Sequence, residues 1–147
     1  MEIGYKLTDA QMRTFGGTCH WTLGVTKTVT GGGDLCGPGW LHSYRDPLLA
    51  VLLDPIHGNY GLDARLFKVE CGGRVKQDRG LKFGNAKQTL VEEVVLPRVT
   101  IWQRVQFAKN CAEFAARAVK GPRLSPDQIH GELRKCAYAA IGQEVPA

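Results

Sequence analysis

The stretch Leu35-Cys36-Gly37-Pro38-Gly39-Trp40-Leu41-His42-Ser43-Tyr44-Arg45-Asp46-Pro47-Leu48-Leu49-Ala50 compresses a turn, a short strand and a helix start into sixteen residues. Pro38 between two glycines makes the turn, and Trp40–Ser43 is a short apolar and aromatic strand. Asp46-Pro47 then opens a helix, because an Asp side chain can accept the unpaired N–H groups of a first turn and proline is tolerated at the first helical position. Leu48, Leu49, Val51, Leu52 and Leu53 leave that helix almost no polar face, so it must be buried. Asp54-Pro55 is expected to end it, with residues 56–61 as a loop.

On the N-terminal side, Gly4–Thr8 and His20–Val29 alternate or are β-branched, with Gly24 as a break or bulge, and Gly31-Gly32-Gly33-Asp34 forms a loop. On the C-terminal side the clearest strand is Ala64–Cys71, where Leu66, Lys68 and Glu70 point one way and Phe67, Val69 and Cys71 point to the core. Gly72-Gly73 turns the chain toward a short strand near Arg74–Val75. Gln77–Lys87 reads as a loop and Thr89–Leu96 as a further strand.

Beyond residue 96 the period changes. Ile101, Val105, Ala108, Ala112, Ala115 and Val119 recur at threes and fours and describe an amphipathic helix. Ser125-Pro126-Asp127-Gln128 is a capped start for a last helix, whose inner face is Ile129, Leu133, Cys136, Ala137, Ala140 and Ile141, with Gly142 as its stop. The expected architecture is α+β in a single domain spanning residues 1–147. It consists of a twisted, mostly antiparallel sheet with one short internal helix (1–96) and a C-terminal two-helix hairpin (97–147).

The chain has 147 residues, 44% apolar and 22% charged, enough to bury roughly 70% of the surface an unfolded chain exposes. No run reaches the length of a membrane span and the N-terminus lacks the pattern of a signal peptide, so a cytoplasmic location and no membrane partner are expected. Five cysteines at irregular spacing read as free thiols. Of the net charge of +5, residues 1–96 carry +1 and residues 97–147 carry +4, a balance that favours acidic partners.

The order of landmarks resembles a loose group of small phage and prophage proteins of unknown function. It runs from the Gly4-Tyr5-Lys6 opening through the Cys36-to-His42 turn and strand and the Asp46-Pro47 helix start to the Arg65–Glu70 strand ending at Gly72. The resemblance covers about residues 4–96. It implies a mobile-element origin and action in the cytoplasm of a host cell, where such proteins often bind host machinery.

Several constellations could carry chemistry. Cys19, His20, Cys36, His42 and Cys71 offer zinc-type ligands but no C-x₂₋₄-C or H-x₃₋₅-H pair, so no metal is expected. Cys36 and His42 could form a nucleophile and base, although sequence proximity supplies neither reach nor an orienting third group. An ADP-ribosyltransferase-like reading would draft His20 or His42, Tyr44, and Glu92 or Glu93. Neither glycine-rich nucleotide fingerprint is present and no cofactor is expected.

The basic residues Arg74, Lys76, Arg79, Lys82 and Lys87, with Arg104, Lys109 and Arg117 on the long helix, form the expected binding surface. The leading expectation is thus a non-enzymatic phage-type protein that binds a host protein complex, for instance as an inhibitor of a defence or transcription assembly, with nucleic acid as another partner. The alternatives are a nucleotide-handling enzyme centred on His42, Tyr44 and Glu93, and a self-assembling protein whose Ala-rich hairpin makes a homodimer.

Overall fold

The computed structural model describes residues 1–147. Strands β1 (Glu2–Thr8), β2 (Arg13–Thr14), β3 (Cys19–His20), β4 (Thr26–Thr28) and β5 (Leu41–Ser43) precede helix α1 (Pro47–His57). A 3-10 turn at Gly61–Asp63 leads into β6 (Arg65–Asp78) and β7 (Lys82–Val94), and the chain closes with α2 (Ile101–Ala118) and α3 (Pro126–Ala140). All strand pairing is antiparallel. The α+β architecture, strands first and helical hairpin last, follows the sequence pattern.

The main sheet runs β1-β6-β7-β4, with β5 also paired to β7, while β2 and β3 form a separate two-stranded ribbon. Just past β5, Tyr44 and Tyr5 exchange both backbone hydrogen bonds, at 2.6 and 2.8 Å. Pairing that starts at β1 and passes through β6, β7 and β5 therefore returns to β1. Phe67, Val69, Cys71 and Leu90 alternate inward onto Trp21 and Leu41 to form one small core. A larger core holds Leu7, Leu66 and the apolar α1 against Phe107 of α2 and Leu133, Cys136, Ala137 and Ala140 of α3.

Four local differences from the sequence pattern have physical causes. First, Gly72-Gly73 does not turn the chain. The register with β7 shifts between Gly72 and Val75, and Gly73 takes φ 74°, a left-handed backbone that costs glycine little, so the pair is absorbed as a bulge. Residues 77–87 are consequently a hairpin rather than a loop, with the turn confined to 79–81. Second, His20–Val29 is broken at Gly24, φ 73°, as its glycine indicates, but the strands left on either side are shorter than the pattern suggests, only β3 and β4.

Third, α1 does not stop at Asp54-Pro55 but continues to His57. Proline removes the N–H that would bond the carbonyl four residues back. That carbonyl, of Val51, instead accepts a hydrogen bond from the Arg104 guanidinium of α2 at 3.2 Å. Fourth, the apolar stripe of α2 identified by its period faces solvent: the inward side chains are Phe107, Cys111 and Phe114. The inner face of α3 is as its period indicates.

Asp46, 2% exposed, joins the layers. Its Oδ1 accepts the backbone N–H groups of Leu48 and Leu49 at 2.9 and 3.2 Å, capping α1. Its Oδ2 accepts from Arg134 Nε of α3 at 2.9 Å and from the Tyr138 hydroxyl at 3.4 Å. Removing a cap costs about 1 kcal/mol, and breaking a buried pair by deleting one partner about 3–5 kcal/mol. Arg134 is partly exposed and also donates to the Pro146 carbonyl, so Asp46→Ala should lower the urea unfolding free energy by about 2–3 kcal/mol, with Asp46→Asn, which keeps an acceptor for the cap, falling between it and the parent.

Candidate functional site

β1, β5, β7 and the C-terminal end of α1 converge on a cavity of about 320 Å³. Local sequence rules place its polar side chains. Gly4, Lys6 and Thr8 fall at alternate, inward positions of β1, so a lysine is carried to the interior by a strand whose register the flanking residues decide. The Tyr5–Tyr44 bridge sets His42 and Tyr44 beside it. Helix α1 then returns His57 to the Tyr44 hydroxyl, with the two rings stacked at 22° and 5.7 Å.

Two lysines dominate the cavity. Lys6 is 5% exposed and Lys82 is 7% exposed. The Lys6 ammonium donates to the His42 carbonyl and lies 4.8 Å over the Trp21 ring. Lys82 donates to Cys36 Sγ at 3.2 Å. Neither makes an ion pair. The carboxylate in the lining, Asp54, is occupied elsewhere: its oxygens accept the backbone N–H groups of Tyr60 and Gly61 at 3.1 and 3.4 Å.

Burial shapes the ionisation of these groups. Desolvation brings the Lys6 amine down to about 8. It brings His42 down to about 4, against a raising contribution from the Leu35 carbonyl and with Lys6 and Lys82 adding repulsion. The His42 imidazole is therefore neutral at pH 7. Its Nε2 faces the Leu35 carbonyl, which assigns the proton to that nitrogen. His57 is also lowered, by burial and then by Lys82. The Tyr44 phenol is raised by burial and the Asp54 charge, so it stays protonated and donates to His57 Nδ1, which assigns the His57 proton to Nε2. The same two influences push the Tyr60 phenol up to about 12, and its hydroxyl has no intramolecular partner.

The loop carrying Cys36 is closed by a Gly31 N–H to Gly39 carbonyl bond of 2.9 Å. A Cβ at Gly39 would stand 2.1 Å from the Gly32 carbonyl oxygen, so only glycine permits this approach.

Of the residues singled out from sequence, His42, Tyr44, Cys36 and Lys82 meet at the cavity. Glu93 does not. It lies on the solvent side of β7, in a two-point pair with Arg65 at 2.8 and 2.7 Å, and Glu92 pairs with Lys68 at 3.3 Å. His20 is exposed on β3. No three His, Cys, Asp or Glu side chains stand close enough together to hold a metal ion.

Arg74, Lys76 and Arg79 are exposed along the β6–β7 hairpin, and Lys87 is exposed on β7. Lys82, in the same basic run, points inward instead. Arg104 is engaged with Val51, whereas Lys109 and Arg117 are free on α2. Sequence reading did not single out Lys6, His57 or Tyr60. The signal for Lys6 was its inward parity with Gly4 and Thr8. His57 and Tyr60 meet their partners only through the path of α1. No protein-family model, curated protein or solved structure matches the chain.

The shifted groups make stability pH-dependent. Between about 8 and 10.5 the folded chain has released the Lys6 proton while the unfolded chain still holds it, so stability rises with pH in that window. Between 6.5 and about 4 the unfolded chain protonates His42 and the folded chain does not, so stability falls as pH falls. Melting temperatures measured across both windows should show both slopes, with Lys6→Met flattening the alkaline one and His42→Gln reducing the acid one.

Proposed function

We propose that the protein binds a small organic anion, with a phosphate or carboxylate group, in the cavity between β1, β5, β7 and the end of α1. One observation carries this reading: two lysines more than nine-tenths buried open on the same cavity without a carboxylate partner. Taking an ammonium out of water costs several kcal/mol unless an opposite charge compensates it. Contacts with a carbonyl, an indole face and a thiol offset only part of that cost, and an anionic ligand would supply the rest.

The other groups at the cavity suit the same occupant. The Tyr60 hydroxyl and His57 Nε2–H are further donors, while Phe15 and Ile56 offer apolar wall to the organic part. The volume lies at the small end of ligand sites and suits a compact metabolite.

Calorimetric titration with inorganic phosphate, ADP and citrate tests the proposal. At least one should bind, more weakly as pH rises past about 8, and Lys82→Met should lower its affinity by more than tenfold, on the order expected for losing a buried charge-assisted bond. The unliganded Lys82→Met protein should melt no lower than the parent, because an uncompensated charge has been replaced by an apolar chain of similar length. No binding by any of the three, or binding indifferent to Lys82→Met and Lys6→Met, would sink the idea.

A second reading rests on a different observation. Arg74, Lys76 and Arg79 protrude along one hairpin and none of them makes an ion pair. Such a basic ridge, without ion pairs although Lys76 donates to the Gly33 carbonyl at 2.9 Å, supports the binding of an acidic host macromolecule by a phage-type protein. Capture from bacterial lysate, with and without nuclease, should then recover a partner that an Arg74→Glu/Arg79→Glu double variant loses. Equal recovery by both proteins would discard this reading and leave the cavity proposal untouched.

A further inference from the structure

We propose that the cavity forms an imine with its ligand: the Lys6 amine condenses with the carbonyl carbon of a small 2-oxo acid whose carboxylate pairs with Lys82. This rests on the reading that the same cavity binds an organic anion, and it narrows that anion to one with a reactive carbonyl group.

A buried ammonium without a counter-ion can reduce its cost in two ways. It can take up an anion, or it can give up its proton and become a nucleophile. The surroundings of the two lysines divide these roles. Lys82 donates to Cys36 Sγ at 3.2 Å, and Cys36 is exposed, so this amine stands where a charged group arriving from solvent meets it first. Lys6 is set deeper, with its nitrogen bonded to the His42 carbonyl and 4.8 Å from the centre of the Trp21 ring, itself 4% exposed. No carboxylate pairs with it.

A neutral amine fits this setting. One N–H stays on the His42 carbonyl and the nitrogen lone pair is left without a partner. Burial brings the Lys6 amine down to about 8, and the neighbouring Cys19 and Cys71 thiols only partly oppose that. About one molecule in ten then carries the reactive amine at pH 7, against roughly one in three thousand for an exposed lysine.

The step balances without an oxidant or a reductant. A bond forms between the Lys6 nitrogen and the carbonyl carbon, the carbon–oxygen bond breaks, and the oxygen leaves as water with both amine hydrogens. The imine then takes one proton from solvent. His57 and Tyr60 line the same cavity, and the His57 Nε2–H and Tyr60 hydroxyl are the proton donors available to the departing oxygen. A volume of about 320 Å³ suits an acid of this size.

Sodium borohydride reduces an imine to a stable secondary amine, so treating the full chain with pyruvate and borohydride, followed by intact mass and peptide mapping, tests the assignment. The expected product gains the mass of one pyruvate less one oxygen atom, and Lys6 should be labelled at least about tenfold faster than the exposed Lys109 or Lys135. Labelling should climb as the pH is raised toward about 8. Lys82→Met should slow labelling by pyruvate more than about tenfold but hardly alter labelling by acetaldehyde, which has no carboxylate. Label spread evenly over the surface lysines, or pyruvate labelling indifferent to Lys82→Met, would overturn the proposal. Calorimetric binding of phosphate or citrate with no trapped Lys6 would overturn it and leave the anion site standing, whereas neither binding nor trapping would remove both.

Discussion

The adjacent charges of Arg45 and Asp46 tie the sheet to both outer layers of the molecule. Asp46 caps α1 with one oxygen and binds Arg134 of α3 with the other. Arg45 reaches Glu2 of β1 and Asp127 of α3, and its guanidinium lies 4.1 Å over the Phe83 ring of β7. Both directions of each side chain are used. The last helix is thereby docked where the chain leaves the sheet, and α1 can then serve as the middle of the larger core.

The cavity lies at the other end of α1 from that node. Because α1 is anchored at its start by Asp46, its far end is placed, and with it the His57–Tyr44 contact. Because β5 pairs with β7 and the next residue, Tyr44, bridges to Tyr5 of β1, the segment carrying His42 is held beside Lys6. The result is a polar pocket beside the apolar core. Its unpaired lysines oppose folding, and a binding site that needs positive charge is a reason for a chain to tolerate that cost.

How much of this was legible in the sequence differed by element for physical reasons. The Asp46-Pro47 and Ser125-Pro126 starts were readable because a cap is a contact between near neighbours, and both side chains cap as their positions imply. Gly72-Gly73 was misleading, since two glycines allow a bulge as readily as a turn and only the partner strand selects between them. Pro55 was misleading in the same way: the carbonyl it frees at Val51 found a donor 53 residues on in sequence, at Arg104. At the cavity, His42 and Tyr44 share a short strand segment and were seen together, whereas Lys82 was read as surface because a basic run gives no sign of which member turns inward.

The sequence by itself determined the α+β composition, the alternation that buries Phe67, Val69 and Cys71, and the capped starts of α1 and α3, all of which rest on local periodicity and near-neighbour hydrogen bonds. Tertiary structure alone decided that the chain just past β5 bridges back to β1, that Lys6, Lys82, His42 and His57 share one cavity, and that the apolar stripe of α2 faces outward. Periodicity states that a face is apolar but not what covers it. Cavities and interfaces are set by which distant strands and helices pack together, and that choice depends on contacts no local stretch contains.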